Sequence, residues 1–192
     1  MSFEFNPERD ISHLKETTVS QATLHKSVVV NFRHDQVLSP NGQPCVRDVV
    51  EHPGGVVVMP ILDNGDFVMV EQWRYPLGKT LLEFPAGKLE ARGKEDPFEA
   101  IQRELLEETG YKANTWEKLN YLYTAPGFCD EKLYLYKATG LTLVNETHVG
   151  DDDEFLDIHQ VPANKAVELA RQGHITDAKT LSLLFHHLAA LQ

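Results

Sequence analysis

Three glutamates, Glu104, Glu107 and Glu108, stand in a stretch whose apolar residues recur at helical spacing. Steps of three and four residues put all three on neighbouring turns, so they project as one patch. Two like charges four residues apart, as Glu104 and Glu108 are, repel by about a few tenths of a kcal/mol on an isolated helix, and their joint presence suggests a counter-ion. Hard oxygen donors at this density suit Mg2+, with Mn2+ as a substitute. The other reading is a solvated face of an amphipathic helix, which is what most acidic clusters are. Arg103 precedes Glu107 by one helical turn and can reach it.

The elements that must position this patch are legible around it. Asp96-Pro97 supplies an acidic N-cap and a proline at the first helical position, and Gly110 a stop, so a helix is predicted over residues 98–109. Phe98, Ile101 and Leu105 fall on one side of it as a core-facing stripe. Residues 56–62 are a continuous apolar run suited to a buried strand, Asp63-Asn64-Gly65-Asp66 is a hairpin turn, and residues 67–71 return as a strand. Upstream, residues 27–32 and 45–50 read as strands joined by the turn at 39–42, and His52-Pro53-Gly54-Gly55 breaks the pattern. Further strands are expected at 120–124 and 132–139, and helices at 163–171 and 177–191. The expected class is α/β, with helices on two faces of a sheet. The chain divides into a small N-terminal β lobe, residues 1–51, and a main domain, residues 52–192.

A chain of 192 residues with 42% hydrophobic content can build a substantial core. Its net charge of -11, from 29 acidic against 18 basic side chains, repels a nucleic-acid backbone. A small anionic substrate remains compatible, provided that divalent cations offset the acidity at the site. Two cysteines, Cys45 and Cys129, are too few for a disulfide framework and fit a reducing cytoplasm. Neither a leader pattern nor an apolar stretch of about 18 residues appears, so neither secretion nor membrane spanning is expected. His186-His187 lack the spacing of a zinc motif and read as surface residues. Cys129 lies beside Asp130 and Glu131, which disfavours a thiolate nucleophile.

The run Arg103-Glu104-Leu105-Leu106-Glu107-Glu108-Thr109-Gly110-Tyr111, preceded by Gly87, resembles the Nudix box. Every fixed position from Arg103 to Tyr111 is met. The first half departs from the family spacing, because seven residues rather than five separate Gly87 from Glu95. An insertion in a surface loop is cheap in chain entropy, and the metal site is expected to survive it. Three further segments are similar to the branch of ADP-ribose pyrophosphatases and nucleoside diphosphate sugar hydrolases. They are Glu71-Gln72-Trp73-Arg74-Tyr75-Pro76 with Leu82-Glu83-Phe84-Pro85-Ala86-Gly87, then Pro126-Gly127-Phe128-Cys129-Asp130-Glu131, and Ile175-Thr176-Asp177-Ala178-Lys179-Thr180.

The resemblance implies an α/β/α Nudix fold with a mixed sheet, and Mg2+-dependent cleavage of a pyrophosphate bond. ADP-ribose, giving AMP and ribose 5-phosphate, is the leading substrate, and GDP-mannose is the alternative. It implies Glu104 and Glu108 as principal metal ligands, with Glu107 and the carbonyl of Ala86 beside them. The general base is expected from an acidic loop, with Asp152 and Glu154 as candidates; a solvated acidic turn is the competing reading there. Trp73 is a candidate base platform or simply packing, Arg47 and Arg74 are candidate donors to phosphate or ribose, and Glu83 and the loop residue Phe128 are candidate substrate contacts. The branch implies a homodimer formed through the N-terminal lobe, with Arg47 acting across the interface. From a different class, a non-catalytic ADP-ribose-binding sensor would be expected to have lost box carboxylates, which this chain keeps. A sanitiser of damaged triphosphates would need neither the Pro126 loop nor the N-terminal lobe.

Overall fold

The computed structural model describes residues 6–144 and 155–191, the side chains of residues 91 and 92 excepted. The chain forms two compact units. One holds the residues up to His52 together with Gly127–Asp130; the other holds Pro53–Pro126 and the residues from Glu131 onward. Among the described residues, no helix is long and apolar enough to cross a membrane.

The first unit is an antiparallel meander of β1 (Thr17–Lys26), β2 (Asn31–Leu38) and β3 (Pro44–Glu51). The strand expected at 27–32 is corrected, because its first four residues turn the chain between β1 and β2. The Ser27 hydroxyl donates to the Val30 carbonyl at 2.7 Å and accepts from the Val30 N–H at 3.0 Å, a local exchange that competes with ladder formation. Only Asp35 and Val37 are buried among the described residues of this unit. Asp35 is held by the Arg33 Nε–H, at 2.9 and 2.8 Å to its two oxygens, and by the Gln21 amide at 3.2 Å, as a buried carboxylate requires. The segment at 127–130 joins this unit by a parallel bridge to β3. Val50 N–H donates to the Phe128 carbonyl at 2.7 Å, and Asp130 N–H to the Val50 carbonyl at 3.2 Å.

The second unit runs β4 (Gly55–Pro60), β5 (Phe67–Arg74), β6 (Lys79–Glu83), β7 (Ala86–Lys88), α1 (Glu90–Gly93), α2 (Pro97–Thr109), β8 (Tyr111–Tyr123), β9 (Lys132–Leu143), β10 (Leu156–Val161), α3 (Ala163–Arg171) and α4 (Ala178–Ala189). Strands order as β7-β4-β9-β8, with β4 parallel to β9, and as the antiparallel set β10-β5-β6. β4 explains the apolar run read from the sequence, since all six of its residues are buried. Its side chains alternate between two cores. Val56 and Val58 pack with Ala100, Ile101 and Leu105 of α2, while Val57 and Met59 pack with Ala166 of α3 and Leu183 and Leu184 of α4. Helices thus cover both faces of a mixed sheet, the α/β/α arrangement.

α2 starts and stops where its caps dictate. The Asp96 carboxylate accepts from Phe98 N–H at 2.8 Å and Glu99 N–H at 3.2 Å, and the Gly110 N–H donates to the Leu106 carbonyl at 2.9 Å. The expected stripe needs one correction: Ile101 and Leu105 are buried, but Phe98 is partly exposed on the first turn, edge-on to Trp116 at 5.7 Å. His187, read as a surface residue, is half-buried and packs edge-on against the core ring of Phe67 at 5.0 Å. Because Ile101 is fully buried between α2 and the sheet, Ile101→Ala is expected to lower stability by about 2–5 kcal/mol through lost transfer energy and a residual cavity. Urea denaturation checks this, and a midpoint unchanged from wild type would show that the helix does not rely on that contact.

Candidate active site

The box helix docks its acidic side onto the strand that precedes it. Glu104 and Glu108 are only 7% and 3% exposed. Glu108 accepts from the Ala86 N–H at 3.0 Å, and Glu104 lies against Gly87. A Cβ built on Gly87 would fall 1.8 Å from the Glu104 carboxyl carbon, so the space a side chain would need is filled by this carboxylate. The glycine at the head of the motif is therefore required by close approach. It lets a helix glutamate reach strand backbone.

Arg103 organises the rest. Its Nη1 lies 3.0 Å from Glu104 and 2.8 Å from Glu107, and its Nε and Nη2 each lie 3.2 Å from a different oxygen of Glu95. Burial alone would lower the pKa of Arg103, but the Glu95 bonds, the Glu104 charge and the Glu107 bond outweigh it, and the guanidinium stays charged. Glu95, whose register the expanded spacing put in question, sits in this cluster. Burial would raise its pKa; the Arg103 bond, the Glu90 N–H at 2.8 Å and the Arg103 charge hold it below the usual carboxylate range. The expansion is absorbed by α1, a single helical turn closed at Gly93 with φ 79°. A Cβ there would meet the Pro53 carbonyl oxygen at 2.5 Å, so this turn too depends on glycine.

One positive charge facing the carboxylates of Glu95, Glu104 and Glu107 leaves these four groups anionic by two charges, a setting that favours a cation. The donor set is all hard oxygen, spread over α2 and β7, and it fits a divalent ion of the Mg2+ or Mn2+ class. Among the described residues, no three acidic, histidine or cysteine side chains converge on one point. Glu104 and Glu107 turn to Arg103, and Glu108 to Ala86.

A second charge cluster flanks the first. Glu83, at the end of β6, is 1% exposed and receives Arg74 through two bonds, Nε–H at 2.7 Å and Nη2–H at 2.6 Å. Lys179, from the first turn of α4, bonds the same carboxylate and reaches Asp177 at 3.0 Å. Burial would raise the pKa of Glu83, yet the Arg74 bond and the Lys179 charge bring it below its ordinary value. Arg74 is held charged by Glu83 first, with burial opposing, and its charge also feels Asp177 and Glu108. Arg74 and Glu83 were both singled out in the sequence. The roles of Lys179, Asp177 and Thr180 were not; the only trace was the segment 175–180, which carries them without saying what they touch.

The remaining candidates are dispersed. Trp73 is an exposed side chain on β5 opposite Thr80 of β6. Arg47 lies in the N-terminal unit, where its guanidinium pairs with Glu16, and Phe128 is an exposed residue of the 127–130 segment in the same unit. Asp152 and Glu154 lie outside the described residues.

The chain is similar to known proteins over most of its length. A model of the NUDIX domain matches residues 51–184. The chain is 39% identical over 167 residues to the ADP-ribose pyrophosphatase of Bacillus subtilis (strain 168), covering 87% of this chain and 89% of that protein. It is 41% identical over 167 residues to the methanol dehydrogenase activator of Bacillus methanolicus, with the same two coverages of 87% and 89%. Among solved structures, a crystal structure of an ADP compounds hydrolase superposes with a TM-score of 0.79 at 25% identity, covering 92% of this chain and 94% of that one.

The Arg103–Glu95 pair sets a pH signature. A carboxylate whose folded pKa is depressed stabilises the fold above the ordinary glutamate range, and that contribution is lost as pH falls through the depressed value. The stability advantage of the wild type over Glu95→Gln is thus expected to be full at neutral pH and to shrink below about pH 4. Urea midpoints of both proteins across that range test it; a pH-independent difference would mean that the pair contributes no charge stabilisation.

Proposed function

The chain belongs to the NUDIX domain family, and from that premise we propose that it hydrolyses the pyrophosphate bond of nucleoside diphosphate sugars with Mg2+ as its working cation, ADP-ribose being the substrate and AMP and ribose 5-phosphate the products. Nudix hydrolases generally need a divalent metal, and the donor set on α2 and β7 fits one. The observation that carries the reading is the seating of Glu104 in the space left by Gly87, beside Glu108 on the Ala86 amide. It brings Glu104 and Glu108 against two consecutive residues of β7.

When bound, a divalent cation supplies Lewis acidity, offsetting phosphoryl charge and making water a better nucleophile. Glu104 and Glu108 would hold it, with Glu107 and the Ala86 carbonyl completing the set. Arg103 keeps Glu104 and Glu107 in place by its Nη1. Arg74, fixed by Glu83 and partly exposed, offers its remaining N–H groups to a phosphate or ribose oxygen. Trp73, exposed beside Arg74 in sequence, offers an indole face for a base. Asp152 or Glu154 takes the proton from the attacking water; its oxygen joins phosphorus as the bridging P–O bond breaks. Arg47 is a further substrate contact, made across a homodimer interface, and Phe128 is another substrate contact. The exposed apolar side chains of that unit, Val19, Leu24, Val28 and Val29 among them, support an interface there. The cytoplasm is the proposed compartment.

A hydrolysis panel with Mg2+ and ADP-ribose, GDP-mannose, other nucleoside diphosphate sugars and a nucleoside triphosphate tests the substrate class, read as kcat/KM with products separated by chromatography. ADP-ribose is expected to rank first and to lose all turnover with EDTA; GDP-mannose ranking first would move the assignment to that sugar, and binding of ADP-ribose without turnover would make the protein a sensor. Glu108→Gln keeps an acceptor for the Ala86 N–H and is expected to preserve helix content while turnover falls by about two orders of magnitude or more. Near-normal kcat in the folded variant would remove Glu108 from the catalytic set. Light scattering at micromolar concentration is expected to give the dimer mass, and a monomer mass would reject the interface.

A further inference from the structure

Lys179 is a nearly buried ammonium, 9% exposed, placed where two general effects oppose it. It lies in the first turn of α4, whose positive dipole end disfavours a cation, and burial disfavours any charge. Buried ion pairs are often no more stabilising than well-packed apolar groups, so stability alone does not account for this one. Its contacts offer a different account. Lys179 Nζ is shared between Glu83 and Asp177, and the other Asp177 oxygen accepts from the Thr180 N–H at 2.9 Å and the Thr180 hydroxyl at 2.7 Å. That hydroxyl in turn accepts from the Phe84 N–H at 3.0 Å. The last residue of β6 and the one after it are thus fastened to one helical turn, Glu83 by its side chain and Phe84 by its backbone. Glu83 carries the restraint on to Arg74 through its two bonds.

We propose that Lys179 is a positioning residue for the hydrolysis of nucleoside diphosphate sugars: held by Asp177, it fixes the Glu83 carboxylate so that Arg74 is presented to the substrate in one orientation. The proposal rests on the substrate class assigned above. A long, partly exposed guanidinium on the last residue of a strand samples several rotamers, and each must be given up on binding unless it is already selected. Glu83 has two oxygens and could rotate under Arg74 alone; a second cation bonded to one of them removes that freedom. Lys179 itself touches no substrate in this scheme, and its influence passes through Glu83.

The test reads position and catalysis separately, with Lys179→Met and Lys179→Gln in the full-length protein. In protein labelled with 15N-arginine, the Nε–H resonance that vanishes in Arg74→Met reports on Arg74. It is expected to shift and broaden in both lysine variants and to return near its wild-type position in Lys179→Arg. In steady-state assays with ADP-ribose, KM is expected to rise about tenfold with kcat changed far less, the size of a weakened charge-assisted contact. In an Arg74→Met background the same lysine substitutions are expected to leave KM unchanged, because the group they act through is gone. An unmoved Arg74 resonance, a lower melting temperature with wild-type KM, or an equal KM rise with and without Arg74 would each overturn the proposal. Should Lys179→Met not fold, Lys179→Gln, which keeps a donor toward Glu83 without the charge, decides the same question. If wild type hydrolyses no diphosphate sugar, the functional reading fails by itself, and the Arg74 resonance still decides whether Lys179 positions that side chain.

Discussion

The structure turns on a constraint of electrostatics: carboxylates that sit on a helix face buried against a strand must be satisfied there or they will not be charged. Glu104 and Glu108 meet it differently, one against the bare backbone of Gly87 and beside Arg103, the other on the Ala86 amide. Each solution constrains a neighbour. β7 must offer a residue without a side chain and an amide pointing at the helix. α2 must be held in register by its caps, and Ile101 and Leu105 must anchor it to β4. A shift by one residue along the helix would turn both carboxylates by about 100° and break every one of these contacts.

The same economy appears in the second cluster, where charges are neutralised in pairs. Arg74 and Lys179 face Glu83 and Asp177, so four buried or half-buried ions form a balanced group. Next to it, the box cluster is left anionic. The contrast is informative, because a fold that balances four charges in one cluster and leaves an excess in the one beside it has a different use for the second place.

Much of this was legible from residue types. The box pattern from Arg103 to Tyr111, the Asp96-Pro97 start and the Gly110 stop are local signals, and the helix forms between them. β4 was legible because burial on both faces leaves an unbroken apolar run. β1 was not, since all ten of its residues are exposed and leave no hydrophobic alternation to detect. The extent of β8 was also hidden: it follows directly on the helix cap, and its burial pattern is irregular. Phe98 was misplaced because the helical wheel cannot show that its ring rests against Trp116 and Tyr136 and stays exposed. The contact of Glu83 with Lys179 spans 96 residues of sequence, and no spacing rule reaches that far. The attachment of the 127–130 segment to β3 is hidden for the same reason, with His52 N–H donating to Asp130 across 78 residues.

The turn at Glu90–Gly93 bears on how such sites are recognised at all. A motif written as a string counts positions, and by that count this chain fails between Gly87 and Glu95. The molecule counts something else: whether a carboxylate arrives at Arg103 and at the Glu90 amide. In this chain the linker before α2 holds an extra turn of helix while its far end still brings Glu95 to Arg103. Divergent relatives with other linker lengths are better found by searching for that returning carboxylate than for a fixed number of residues.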